Sequence, residues 1–284
     1  MRNPFRVCII APPGYRHSYA FIEIACLLKS SLIDLGRSCD LKLNEPAPNR
    51  INIVLGYHLI GRPTALEGYD YIPYQLEQLS VREGVYSSNI EHLLKNARSV
   101  WDYSRDNIAF LSHRGIAATL LPVGYHKNLE RIVRGRSSDI DVLFYGSINE
   151  RRGNVLDRLR RAGARVETAF GIYADERDRL VARAKIVLNV HHYSAQIFEQ
   201  VRVSYLLNNR CPIVSEQSAD NPYHKVDLCM VPYEQLVETC LDLLENAEKR
   251  ERKALEQYEQ FCRNYPMTGL LEPIINSGGC GFSA

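Results

Sequence analysis

Four stretches in the second half of the chain combine residue types that bind anions or nucleotides. Tyr145-Gly146-Ser147-Ile148-Asn149-Glu150-Arg151-Arg152 follows an apolar run and sets two arginines just beyond a Gly-Ser pair. Backbone amides exposed at a glycine turn, together with guanidinium forks, suit a diphosphate. Cations in a first helical turn also oppose the helix dipole, so a neighbouring anion would offset their cost. Glu199 and Arg202 stand three apart, on one face of a helix. They read either as an intrahelical ion pair or, beside a nucleotide, as a carboxylate for ribose hydroxyls and a guanidinium for phosphate. Phe170-Gly171-Ile172-Tyr173 can hold a flat base, Ile172 and Tyr173 by backbone contact and stacking. His191-His192-Tyr193-Ser194 completes the set, with His192 and Ser194 on the donor side. No acidic or cysteine partner stands at ligand spacing from the two histidines, so no metal is expected there.

The first half offers groups that could face an acceptor. Pro12-Pro13-Gly14-Tyr15-Arg16-His17-Ser18 follows a strand-like run; Gly14 permits a tight turn, Tyr15 lines the loop, and His17 could contact substrate or take a proton. The plain alternative is a turn with Ser18 capping the next helix. Gly56-Tyr57-His58 and Tyr74-Gln75-Leu76-Glu77-Gln78 each follow another apolar run. His58 and Gln75 read as acceptor-side residues. Glu77 could accept a proton from an acceptor hydroxyl, the alternative being a solvated glutamate at a turn.

The elements that must position these residues alternate along the whole chain. Strands are expected at 6–11, 40–43, 51–55, 71–74, 99–103 and 118–122, with helices over 18–35, 87–96 and 105–114. The pattern then repeats: strands at 140–145, 165–170, 185–190, 212–215 and 227–231, helices at 150–161, 175–184 and 195–207, and a polar helical stretch over 233–263. Strands spaced by helices call for parallel pairing through right-handed crossovers. The expected architecture is α/β, two Rossmann-like doubly wound domains facing a cleft. Its parts are a first domain over 1–124, a second over 125–250, and a C-terminal helix and tail over 251–284 that crosses back. In open α/β sheets ligands bind beyond the carboxyl ends of the strands, where the loops above fall.

Composition narrows the function classes. The 284 residues are 45% hydrophobic and 24% charged, ordinary for a folded globular chain. Net charge is +2, with 13 basic and 11 acidic residues up to Pro122 and 22 of each beyond it. That balance excludes a non-specific nucleic-acid binder; a local arginine cluster (Arg131, Arg134, Arg136, then Arg151, Arg152, Arg158, Arg160 and Arg161) suits a small anion. No apolar run approaches a membrane span, so at most peripheral membrane contact is expected. The eight cysteines form no Cys-x-x-Cys pair and read as reduced small hydrophobes, in keeping with a cytoplasmic protein.

In order and type, several segments resemble GT-B fold glycosyltransferases of bacterial cell-surface polysaccharide synthesis. They are Val100-Trp101-Asp102-Tyr103-Ser104-Arg105-Asp106-Asn107, Leu121-Pro122-Val123-Gly124-Tyr125, Val142–Ser147 followed by arginines, Ile186–His191, and Phe198–Arg202 leading to Cys211–Glu216. The resemblance implies sugar transfer from a nucleotide-diphosphate donor to a glycan or other hydroxyl acceptor, with no cofactor and no required metal. Many such enzymes carry two glutamates with seven residues between them before a proline strand; here the corresponding positions are Ile197 and Tyr205. On this reading Gly146, Ser147, Arg151, Arg152 and Arg202 hold diphosphate, Glu199 the ribose, and Glu77 or His17 the acceptor proton. The competing readings are a nucleotide-sugar epimerase and a non-catalytic protein that binds a nucleotide sugar or a partner.

Overall fold

The computed structural model describes residues 4–79, 86–135, 138–192 and 197–276. The chain forms two compact units: Met1–Asn128 together with Pro266–Ala284, and Leu129–Tyr265.

In the first unit, strands β1 (Phe5–Ile9), β2 (Cys39–Leu43), β3 (Ile51–Leu55), β4 (Asp70–Gln75), β5 (Trp101–Asp102) and β6 (Thr119–Leu120) make one parallel sheet in the order β2-β1-β3-β4-β5-β6. The apolar runs explain the central strands: all five residues of β3 are buried, as both-face burial of a parallel strand requires. Helices α1 (Ile22–Asp34), α2 (Ser88–Lys95) and α3 (Arg105–Ser112) connect them. Ser87 and Ser104 cap α2 and α3, each accepting from the backbone three residues on.

The expected start of the first helix is wrong by one turn. Residues Arg16–Phe21 wind as a 3-10 turn with Ser18 buried inside it, and α1 begins at Ile22 with no side-chain cap. Its end is as expected. Gly36 takes φ +69°, Gly36 N–H donates to Ile33 and Arg37 N–H to Leu32, the paired bonds of a glycine-terminated helix.

The second unit repeats the plan. Strands β7 (Ile140–Tyr145), β8 (Val166–Ala169), β9 (Ala184–Asn189), β10 (Ile213–Glu216) and β11 (Met230–Val231) pair in parallel in the order β11-β10-β9-β7-β8. Helices α4 (Glu150–Arg161), α5 (Ala174–Arg183), α6 (Gln200–Asn208), α7 (Leu236–Glu245) and α8 (Ala247–Asn264) complete it. Val155, Leu156 and Leu159 form the apolar face of α4 and pack with Val142, Phe144, Ile186, Leu188, Val214 and the buried face of α7. The helix expected over 195–207 begins only at Gln200.

The segment expected over 251–284 is divided: α8 belongs to the second unit, and the return to the first begins at Pro266. There a further helix, α9 (Met267–Asn276), unmarked in the sequence reading, buries Met267, Leu271 and Ile275, spaced four apart, and packs on α1. Gly269 and Pro273 within it hide the helical signal. In both sheets the strand order reverses direction at one place, between β1 and β3 and between β7 and β9. Chain topology therefore opens a crevice beyond the carboxyl ends of those strands in each unit.

Candidate functional site

In the second unit the crevice between β7 and β9 is filled with charge. At the end of β7, Gly146 adopts φ +136°, and a Cβ there would lie 2.8 Å from Arg202 Nη2 and 3.9 Å from Arg152 Nη1. Only glycine allows both the backbone and the guanidinium so near. Asn149 caps α4 by accepting from Arg152 N–H at 3.0 Å, and its amide donates to the His192 carbonyl at 2.9 Å, fastening the two loops together.

Arg152 is buried. Its Nε and Nη2 donate to the Val190 carbonyl at 2.8 and 2.6 Å, and its Nη1 donates to the Ser147 carbonyl at 2.9 Å. Nη2 also lies 3.5 Å from Glu199 Oε1. Arg202 comes from α6: Nη1 donates to Asn189 Oδ1 at 2.7 Å and Nη2 to the Tyr145 carbonyl at 2.9 Å. Its guanidinium carbon stands 5.2 Å from the Tyr145 ring centre and 5.5 Å from that of Phe144. Its Nε–H is buried without a hydrogen-bond partner among the described residues, so one donor remains to be satisfied.

Glu199 is the residue before α6, not part of its face, and makes no intrahelical pair with Arg202. Instead, the two side chains share Asn189, whose Nδ2 donates to Glu199 Oε2 at 3.0 Å. Glu199 Oε2 also lies 3.0 Å from His191 Nδ1. Burial works against the Glu199 charge, but His191, Arg202 and Asn189 outweigh it and hold the carboxyl below its ordinary range. Arg151 turns the other way. It forks onto the buried Glu216 of β10, stacks 4.0 Å from the Tyr233 ring centre, and takes the Tyr233 hydroxyl on its carbonyl. The anion that the two first-turn cations hinted at has counterparts inside this unit: Glu216 offsets Arg151, and carbonyl oxygens with Glu199 offset much of Arg152.

Ser147 Oγ and His192 Nδ1 are 3.5 Å apart, and Arg152 Nη1 is 3.4 Å from the same nitrogen. Ile172 and Tyr173 lie half-buried in the turn after β8, between Gly171 (φ +69°) and Ala174 (φ +47°), the latter a non-glycine in the left-handed region. Phe170 beside them is 64% exposed. Ser194 lies outside the described residues. Sequence reasoning missed Asn149, Asn189, His191 and Glu216 as parts of the network. A polar residue ending an apolar strand was the available signal for Asn189 and Glu216.

The first unit's crevice is filled differently. Gly56, with φ +71°, would direct a Cβ to 3.0 Å from the Phe21 ring, and His58 meets Phe21 and Tyr57 edge-on at 6.2 Å. Burial with no compensating charge draws the His58 imidazole down to about 4. Gly14 (φ +77°) closes a turn in which Tyr15 N–H donates to Pro12; Tyr15 is exposed and stands edge-on to the half-buried His17 at 5.2 Å. Glu77 follows β4 in a loop clamped from α3. Asn107 Nδ2 donates to the Glu77 carbonyl at 2.8 Å and its Oδ1 accepts from Leu79 N–H, while Asp102 Oδ1 accepts from Ser104 N–H and from Asn107. The Gln75 amide donates to the same Glu77 carbonyl. Desolvation pushes the Glu77 carboxyl up to about 7, the range of a general base working near neutral pH. Among the described residues no group of three His, Cys, Asp or Glu side chains is placed to hold a metal ion, and no helix is long and apolar enough to cross a membrane.

No family model matches the chain. In sequence it is similar to three uncharacterized proteins of Acanthamoeba polyphaga mimivirus, one 28% identical over 72% of this chain and 64% of the relative. The other two are 26% and 27% identical and are matched over only 21% and 24% of their length. The chain therefore spans less than two thirds of these viral relatives. Solved structures align over nearly its whole length. Anabaena HepE in complex with UDP and glucose superposes with TM-score 0.61 at 12% identity, covering 97% of this chain and 99% of that one. An α-glucosyltransferase in complex with UDP and a 13-mer DNA gives 0.64 at 9% identity, covering 96% and 99%. AviGT4, a glycosyltransferase of avilamycin A biosynthesis, gives 0.56 at 15% identity, covering 96% of each chain. The chain has the GT-B fold. Within this GT-B chain, the two positions where many such enzymes carry glutamates hold Ile197, buried, and Tyr205. The Tyr205 hydroxyl donates to Asp178 Oδ2 at 2.8 Å, and Arg177 stacks 4.0 Å from its ring centre, tying α6 to α5.

Proposed function

We propose that the protein is a glycosyltransferase that moves a sugar from a nucleotide-diphosphate sugar to a hydroxyl acceptor. The observation that carries this reading is the convergence of Arg202 and Arg152 on Gly146, at the carboxyl end of β7 and the start of α4. Diphosphate lies over Gly146 and Ser147, takes the remaining Arg202 donor, and is stabilised as a leaving group by fixed cations, with no metal required. Glu199 and the turn at Ile172 and Tyr173 serve the nucleoside. On the first unit, Glu77 takes the acceptor proton in an inverting transfer, with His17 as the alternative base. The acceptor is a glycan or another small hydroxyl compound. The even charge balance argues against a DNA acceptor of the kind bound by the α-glucosyltransferase.

A second reading is favoured by Ile197 and Tyr205: a protein that binds a nucleotide sugar without transferring it. One experiment separates them. Thermal shift against UDP, GDP, CMP, ADP and dTDP and their sugars, with and without EDTA, is followed by donor hydrolysis with the nucleotide that binds. The glycosyltransferase reading expects saturable stabilisation by one nucleotide family, unchanged by EDTA, and slow release of free sugar. Stabilisation with no sugar release or transfer favours the binding protein, and no stabilisation at millimolar nucleotide removes both.

A further inference from the structure

His191, just beyond β9, is 1% exposed and stands between two acceptors. Its Nε2 is 3.2 Å from the Gln217 carbonyl oxygen, and its Nδ1 is 3.0 Å from Glu199 Oε2, a charge contact whose angle falls outside that of a hydrogen bond. A carbonyl oxygen has no proton to give, and a carboxylate at neutral pH has none either. A neutral imidazole carries one N–H and would turn a lone pair on one of these oxygens. Only the imidazolium suits both neighbours.

The other charged groups around it are accounted for. Glu199 faces it from the start of α6. Glu216 of β10 accepts the His191 backbone N–H at 3.1 Å, and its carboxylate is already forked to Arg151 of α4. Arg152 of α4 approaches the far oxygen of Glu199, and Arg202 of α6 is turned to Asn189. His192, next in the chain, faces Arg152. Setting aside the Arg151–Glu216 pair, His191 and Arg152 approach one carboxylate directly, and Arg202 is linked to it through Asn189.

We propose that His191 is a positioning residue of the donor site, held doubly protonated so that the Glu199 charge is neutralised from behind and competes less with a diphosphate for the field of Arg152 and Arg202. This rests on the glycosyltransferase reading and adds to it a pH dependence of donor binding. Burial opposes the charge on His191, but Glu199 and then Glu216 overcome it and raise the imidazole above its ordinary value. When the proton leaves, the full Glu199 charge acts on Arg152 and Arg202, and the anion competes with it.

Two measurements on the full chain test this. NMR titration of the His191 ring without ligand reads its proton state directly. Calorimetry with UDP between pH 7.0 and 8.5, where the terminal phosphate is already ionised, reads its consequence for wild type, His191→Gln and Glu199→Gln. The expected result is a His191 midpoint above the ordinary value of about 6.5. Wild-type Kd should weaken about three- to tenfold over the range. His191→Gln should bind weakly with a flat profile, and Glu199→Gln should also give a flat profile, at an affinity lowered by the loss of its ribose contact. An ordinary His191 midpoint, or the wild-type slope persisting in His191→Gln, overturns the proposal. Failure of wild type to bind any nucleotide at any pH counts against the donor site itself, and the ring titration then still decides the proton state.

Discussion

Two glycines, one beside each crevice, make the sharpest comparison in the molecule. Gly56 ends β3 and Gly146 ends β7, both at the crevice where their sheet reverses order, and both with positive φ. The space a side chain would take is filled by the Phe21 ring at Gly56 and by the Arg202 guanidinium at Gly146. From that difference the two sites diverge. In the first unit Glu77 and His58 are desolvated without charged partners, so Glu77 rises to about 7 and His58 falls to about 4, each toward its neutral form. In the second, burial is met by opposite charges, and Glu199 and His191 move toward their charged forms despite it. One topology thus supports a dry site suited to moving a proton and a charged site suited to holding an anion.

The largest expected effect comes from unbalancing the charged side. Glu199→Ala leaves His191 and the arginines buried without their carboxylate and should lower stability by about 3–5 kcal/mol in urea titrations. A loss under about 1 kcal/mol would mean the network is not held by charge. Next are the glycines themselves. Gly146→Ala and Gly56→Ala should each lose about 1–3 kcal/mol, from a backbone region side chains rarely adopt and from the displaced neighbour. They should part in ligand binding: Gly146→Ala weakens UDP binding at least tenfold, roughly 1.4 kcal/mol or more, while Gly56→Ala leaves it unchanged. Equal loss in both would erase the contrast between ring and guanidinium.

Smaller effects test the dry side. The folded protein holds the Glu77 proton more tightly than the unfolded chain, so stability should decline as pH rises from about 4.5 to about 7 and stay lower above. Glu77→Gln should remove that decline, gaining about 1–3 kcal/mol at pH 8, and should abolish any transferase activity that rises toward pH 7. His58 is the reverse. Its folded form resists protonation, so stability should fall as pH drops from about 6.5 toward 4, by about 1–2 kcal/mol. His58→Phe should flatten that acid limb; an unchanged limb would place the sensitivity elsewhere.

The sheet was legible in the sequence because buried parallel strands are written as short continuous apolar runs, and Ile51–Leu55 and Ile140–Tyr145 fall where such runs predict. What escaped were features decided by tertiary partners. Ser18 looks like a cap but is buried in a 3-10 turn, and α9 is disguised by Gly269 and Pro273 until α1 is there to receive its apolar face. For the site, residue types were readable but their partners were not. Arg151 and Arg152 are adjacent in sequence and look equivalent, yet one turns to Glu216 and the other to Val190 and Ser147. Helical geometry sends neighbouring side chains about 100° apart, and only the strands they meet decide what each one binds.

The path of the chain has a consequence for its synthesis. Tyr125 and Pro266 pair as a β-bridge, with Met267 N–H donating to the Tyr125 carbonyl at 2.8 Å, so the second unit leaves and rejoins the first at one point. A ribosome halted at Tyr265 would carry every residue of the second unit but a first unit still lacking the helix that covers α1. The half made first is the half that must wait. Truncations ending between residues 265 and 276 should therefore spare the second unit and expose the apolar face of α1, an outcome that limited proteolysis of nascent chains would register.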